Sequence, residues 1–149
     1  MHHILVPTDF STCAGYAEDL AVEIAKKSKA EVVFMNGLTV GVDWVSLPKD
    51  KETRYPEIKA QIGHAEQALE ERVRNASKEG VFAAKSVAFL EGYRSVANAY
   101  NGKDDLIILG SHGAGGGKKL GVGSNAGKIL RTAKSPVLIV QKAIPKPFS

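Results

Sequence analysis

Gly110, two residues, Gly113, nine residues, then Gly123-Ser124 is the spacing in this sequence best suited to chemistry. The segment from Leu109 to Ser124 reads LGSHGAGGGKKLGVGS. It follows an apolar run, Leu106 to Leu109, and leads into Asn125 to Lys134, where Ala126, Ile129, Leu130 and Ala133 recur at helical spacing. Strand, glycine-rich loop and helix start let backbone N–H groups converge on an anion. Glycine has no Cβ, so the chain can approach a phosphate closely. A helix N-terminus adds unpaired N–H groups and partial positive charge, and the Ser124 hydroxyl is a further donor. The competing reading of the same glycines is a long flexible connection.

Two better-known phosphate motifs are absent. A Walker A loop needs glycine, four residues, then Gly-Lys-Ser/Thr. Here Gly117-Lys118 is followed by Lys119 and preceded at the required distance by His112, while Gly127-Lys128 is followed by Ile129. Gly121, Gly123 and Ala126 match a dinucleotide fingerprint only nominally. They lie well beyond the strand, and no acidic residue follows to hold a ribose.

The loop needs a scaffold, and strand-like and helix-like patterns alternate from end to end. His3 to Val6 is a short apolar run closed by Pro7. Ser11 or Thr12 can cap a helix carrying Ala14, Ala17, Leu20, Ala21, Ile24 and Ala25 on one face. Glu31 to Leu38 is a second strand, and Gly37 to Tyr55 reads as a long irregular stretch. A second helix is expected from Pro56 to Lys78, and a third strand, diluted by Lys85 and Ser86, from Ala84 to Leu90. A short helix follows Gly92; Leu106 to Leu109 and Pro136 to Val140 are the last two strands. Alternation of this kind predicts an α/β fold, a doubly wound, mostly parallel five-stranded sheet covered on both faces, in one domain over residues 1–149. In such sheets ligands sit at the carboxyl ends of the strands where strand order reverses. If the first and fourth strands are neighbours, Pro7-Thr8-Asp9 faces Gly110 to Gly113 across one crevice. Asp9 can then bond ribose hydroxyls, help hold a divalent cation, or cap the helix near Ser11.

Composition narrows the partners. The only cysteine, Cys13, excludes an intramolecular disulfide and points to a reducing compartment. No apolar stretch reaches the roughly 20 residues of a membrane span. The chain enters strand-like Ile4-Leu5-Val6 at once, so a cytoplasmic location without a secretory signal is expected. Seven of the 20 basic residues and none of the 16 acidic ones lie after Asp105, so the net +4 divides into +7 there and −3 before. A basic segment around a glycine loop suits an anionic ligand, though it also fits a solvated helix face and tail. Nucleic acid is disfavoured because Phe148 is the only aromatic in that region. His112 is either a nucleotide contact or an exposed loop residue. Trp44 is a lid, a dimer cover or satellite packing; the pair Asn36-Gly37 reads as a turn needing no chemistry. His2 and His3 point to opposite faces of a strand and do not form a metal site.

Together these residues resemble the universal stress protein family over nearly the whole chain. His3 to Ser11 looks like its first strand and turn, Gly110-x2-Gly113-x9-Gly123-Ser124 like the motif of its ATP-binding branch, and Ser135 to Val140 like its final strand. The resemblance implies strand order 3-2-1-4-5, a homodimer through the last strand (Pro136–Val140), and ATP, ADP or AMP in the crevice, with Mg2+ accompanying the phosphates. Carried over, Pro7, Thr8 and Asp9 border the nucleoside, and Leu109 and Gly110 lie near ribose or adenine. Gly113, Gly123, Ser124 and Asn125 surround the phosphates, and His112 in the same loop is the further candidate for a nucleotide contact. Gly37 falls where the family's second strand meets adenine, and family members generally carry a bulkier aliphatic residue there. Asn125 replaces a common apolar residue and either bonds phosphate or caps the helix. Hydrolysis needs a positioned base, for which only Asp9 and His112 are candidates. A nucleotide-dependent regulatory protein is therefore expected; the alternatives are a slow ATPase and a nucleotide-free dimeric interaction protein.

Overall fold

Five apolar runs become the strands of one parallel sheet. In the computed structural model, which describes residues 2–89, 105–111 and 134–144, these are β1 (His3–Pro7), β2 (Glu31–Leu38), β3 (Ala83–Phe89), β4 (Leu106–Gly110) and β5 (Val137–Val140). Their order is β3-β2-β1-β4-β5, and every pairing is parallel. The expected doubly wound order is therefore the observed one. Between the strands run α1 (Thr12–Ser28), a short 3-10 helix (Lys49–Arg54) and α2 (Pro56–Lys78). The helices expected after Gly92 and from Asn125 lie outside the described residues.

Local chemistry sets the helix ends. Ser11, in extended backbone, accepts the Ala14 N–H on its hydroxyl at 3.2 Å and starts α1. Lys29 ends it in the left-handed region at φ 62°, its N–H on the Ala25 carbonyl. Lys26 and Lys27 in the last turn complement the helix dipole. Pro56 begins α2, where its missing N–H costs nothing.

Alternation along the strands splits the core in two. Ile4, Val6, Val32, Phe34, Ile108 and Val140 face α1 and α2. Leu5, Met35, Ile107 and Leu109 face the other way, with Val33, Ala88, Val137 and Ile139 around them. The buried stripe of α1 is mostly alanine (Ala14, Ala17, Ala21, Ala25), so the helix lies close on the sheet. At the opposite end from the strand carboxyl termini, the Asp105 carboxylate accepts the backbone N–H groups of both His2 and His3, tying the start of β1 to that of β4. Those two bonds hold the Asp105 carboxyl below its ordinary pKa.

Small departures from the expected boundaries have simple causes. Pro136 stands just before β5 rather than in it, yet its carbonyl accepts the Ile107 N–H at 2.9 Å, so only the N–H it lacks is lost from the ladder. Gly37 and Leu38 continue β2 by pairing with Ala88 and Phe89, and the irregular stretch begins after them. Gly110 closes β4 against the first turn of α1. A Cβ there would sit 2.8 Å from the carbonyl carbon and oxygen of Cys13 and 3.0 Å from the Ala14 nitrogen. Glycine is what lets strand and helix meet. Gly110→Ala is therefore expected to lower unfolding free energy by about 1–3 kcal/mol in urea denaturation. Gly15→Ala on α1, where nothing lies within 4 Å of the added carbon, should raise it by about 0.5–1 kcal/mol. Equal stability of Gly110→Ala and the unmodified protein would contradict this packing argument.

Candidate functional site

Strand order reverses between β1 and β4: the chain steps one way through β2 and β3 and the other way to β5. Their carboxyl ends flank the position where doubly wound sheets open a crevice. Pro7, Thr8 and Asp9 border it from one side, Leu109, Gly110 and Ser111 from the other. Strand parity sorts these residues. Pro7 pairs with Met35, Gly37 stands two residues beyond Met35, and Leu109 two beyond Ile107, so Pro7, Gly37 and Leu109 share one face. Gly110 belongs to the other face, against α1. His112, Gly113, Gly123, Ser124 and Asn125, with Lys118 and Lys119, lie outside the described residues.

The four residues from Thr8 to Ser11 form the tight connection from β1 to α1. Thr8 is buried; its N–H donates to the Met35 carbonyl at 2.8 Å, and its own carbonyl accepts Asn36 Nδ2 at 2.8 Å. The Thr8 hydroxyl accepts the Phe10 N–H at 3.0 Å and donates to Glu18 Oε2 at 2.5 Å. Phe10 sits at φ 67°, a left-handed conformation costing a non-glycine residue roughly 1–2 kcal/mol. Asp9 is exposed, and its Oδ1 accepts the Ser11 N–H at 3.0 Å. The capping role open to Asp9 in the sequence thus falls to Ser11, the cap of α1, while Asp9 closes the turn just before it.

Three residues stand behind this turn, none of them expected to serve the site: Glu18 and Arg72 were not singled out in the sequence, and Asn36 read as half of a turn. Glu18 on α1 meets Arg72 on α2, with Nε 3.3 Å from Oε1. The Arg72 guanidinium also lies 4.8 Å from the centre of the Phe10 ring, within cation–π range. Asn36 is a buried strand residue holding the Thr8 carbonyl, not half of a turn. Burial pushes the Glu18 carboxyl above its ordinary pKa; the Thr8 hydrogen bond and Arg72 oppose the rise, and Asp19 adds to it. A signal for the ion pair existed. Glu18 stands four after Ala14 and three before Ala21, and Arg72 stands three after Leu69 and four before Ala76. Each charge interrupts a buried helical stripe.

Other candidates fall elsewhere. Cys13 donates its thiol toward the Val140 carbonyl at 3.5 Å and lies 3.6 Å from the buried Ser111 hydroxyl, bridging α1 to the ends of β4 and β5. Trp44 meets Tyr55 edge-on, centroids 6.4 Å apart, and lines a hollow with Ile62, Lys85, Val87 and Phe89 by the outer strand β3. His3 pairs loosely with Glu31 at 4.0 Å, at the far end of the sheet. Among the described residues no cluster of three His, Cys, Asp or Glu could hold a metal, and no helix is long and apolar enough to cross a membrane. On the α2 side of the turn, an open groove of about 580 Å³ runs between Phe10, Asn36, Leu38, Gln61 and His64.

The Universal stress protein family model matches residues 1–141. Universal stress protein MJ0531 of Methanocaldococcus jannaschii is 30% identical over 148 residues, spanning 93% of this chain and 81% of its own length. Among solved structures, universal stress protein UspA from Lactobacillus plantarum superposes with a TM-score of 0.77 at 21% identity, covering 94% of this chain and 97% of that one. The universal stress protein from Archaeoglobus fulgidus in complex with dAMP superposes with a TM-score of 0.64 at 18% identity, covering 95% and 98%.

The raised Glu18 pKa fixes the sign of a pH effect. Folding favours the neutral carboxyl, so this group's contribution is full below its ordinary value near 4.5 and is lost as pH rises through the folded value. In denaturant titrations, the stability of the unmodified protein relative to Glu18→Gln should therefore decline as pH rises above about 4.5. A difference that stays constant or grows over that range would contradict the assignment.

Proposed function

The chain belongs to the universal stress protein family, and we propose that it binds an adenine nucleotide as a single nucleotide-binding domain of the ATP-binding branch, serving as a nucleotide-dependent switch. One observation carries the reading. The Thr8–Asp9 turn and the Leu109-Gly110 strand end stand together where strand order reverses, and the glycine-spaced segment continues from that strand end. The dAMP complex of the Archaeoglobus relative adds support for an adenine ligand.

In this reading Pro7, Gly37 and Leu109 border the base from the one face they share, and Thr8 and Asp9 meet the nucleoside. Backbone N–H groups at Gly113, Gly123 and Ser124 receive the phosphates, joined by His112 and Asn125. Gly110 serves by seating α1 against the end of β4. Mg2+ bound with the phosphates fits a site offering one exposed carboxylate, Asp9, because this ion commonly keeps waters and takes few protein ligands. It would supply charge neutralisation there. Lys118 and Lys119 do the same for ground and transition states alike, and such uniform binding does not speed the chemical step. ATP turnover, if present, is therefore slow.

Nucleotide released by denaturing freshly purified protein and identified by mass should be an adenine nucleotide. Gly113→Val combined with Gly123→Val should abolish ATP binding in calorimetry while leaving the far-UV circular dichroism unchanged; equal affinity in both proteins overturns the reading. Turnover with Mg-ATP is expected well below the roughly 1 per second at the low end of ordinary enzymes. Faster turnover abolished by Asp9→Ala or His112→Ala would make the protein an ATPase.

A homodimer through Pro136 to Val140 is part of the same proposal. Leu138, on this sheet-edge strand, is 39% exposed, and self-pairing would cover it. Sedimentation at micromolar concentration should give twice the 15.9 kDa chain mass; a monomer overturns the dimer.

A further inference from the structure

We infer that Glu18 and Arg72 are positioning residues for nucleotide recognition: their ion pair, strung between α1 and α2, holds the turn that presents Asp9. The inference rests on the nucleotide-binding reading and adds to it how the turn is held from outside the crevice.

Every contact that Glu18 and Arg72 make toward the turn lands on one of the two neighbours of Asp9. One Glu18 oxygen accepts the Thr8 hydroxyl at 2.5 Å, the other meets Arg72 Nε at 3.3 Å, and the Arg72 guanidinium lies on the Phe10 ring at 4.8 Å. Thr8 and Phe10 are themselves joined, because the Phe10 N–H donates to the same Thr8 hydroxyl. That hydroxyl therefore both accepts and donates within the network. Arg72 is anchored to its own helix by donating from Nη1 to the Ala68 carbonyl at 3.1 Å. Among the four turn residues Asp9 alone is exposed. The arrangement grips the residues on either side of one solvent-facing carboxylate.

General stability does not account for this grip. Even a partly buried ion pair is often matched by apolar residues of similar size, since withdrawing two charges from water offsets much of their attraction. The turn it holds is also strained at Phe10, where the backbone stands at φ 67°. Such strain persists only where the surroundings over-determine it, and it gathers at functional sites. The ion pair supplies two of the restraints, through Thr8 and through the Phe10 ring. A shift of α2 against α1 would move both at once, so the orientation of Asp9 is coupled to the packing of these helices.

The test measures ATP affinity by calorimetry, in the presence of magnesium, for the full chain and for Glu18→Gln, Arg72→Met, Asp9→Asn and the Glu18→Gln/Asp9→Asn double variant. Glu18→Gln retains an acceptor for the Thr8 hydroxyl but removes the charge pairing. Glu18→Gln and Arg72→Met should each weaken affinity by roughly tenfold, the scale on which groups behind a binding site act. In the Asp9→Asn background, Glu18→Gln should add no further loss. Unchanged affinity in both single variants, or full additivity in the double variant, overturns the inference, because a merely structural ion pair would lower thermal stability without this coupling. If Arg72→Met does not fold, Arg72→Lys, which keeps charge but not the planar fork, replaces it with the same expectation.

Failure of the unmodified protein to bind any adenine nucleotide overturns the functional reading instead. The hold on the turn is then read in the ligand-free protein by amide hydrogen exchange. Glu18→Gln should speed exchange at Phe10 and Ser11 by tenfold or more while leaving Leu20 to Ala25 unchanged. Unchanged rates at Phe10 and Ser11 overturn the hold itself.

Discussion

The approach of β4 to the first turn of α1 sets the geometry of everything at the carboxyl end of the sheet. At Gly110 a strand meets helix backbone with no room for a single carbon. Close by, the Cys13 thiol reaches the Val140 carbonyl, and that same carbonyl takes the Ser111 N–H. Three elements distant in sequence are thus fixed against one another within a few ångströms. With α1 seated there, only four residues remain to join it to β1, and the turn has little conformational choice. The left-handed backbone at Phe10 follows from this shortage of chain rather than from any preference of phenylalanine.

Much of the scaffold was legible because local and long-range signals agree. Pro56 and the apolar repeat fixed α2 at its observed limits, since a proline at the first helical position and a regular stripe both point to one start. The third strand read weakly because it is a sheet edge: Lys85 points to Glu70 of α2 at 3.1 Å instead of into the core. The glycines were conspicuous, yet their types alone did not reveal that Gly110 answers to a helix. A missing side chain looks the same in sequence whether it makes room for a ligand or for backbone.

The residues behind the turn were hidden for a different reason. Asn36 beside a glycine resembles a turn, and only pairing with β3 shows that both are strand residues. Glu18 and Arg72 are separated by 54 positions, and no local pattern links them. What each does carry is a charge inside an alanine- and leucine-rich stripe. That is an unusual location for an ion, and it requires a partner on whatever packs against it. Reading two such interruptions on consecutive helices as one pair would have been a sound physical step, since both helices had to cover the same face of the sheet.

The Asp105 clamp on His2 and His3 has a practical side. All five strands run the same way, so each enters the sheet at one end and leaves it at the other. The clamp fastens the entrance of β1 at the end remote from the crevice, whereas β5 runs out toward the crevice end. A fluorophore, affinity handle or surface linkage attached at His2 therefore sits at the opposite pole, some five strand residues away from the turn. The same attachment placed just after β5 would crowd the carboxyl ends of the strands. Immobilising the molecule by its leading end leaves the crevice facing solution.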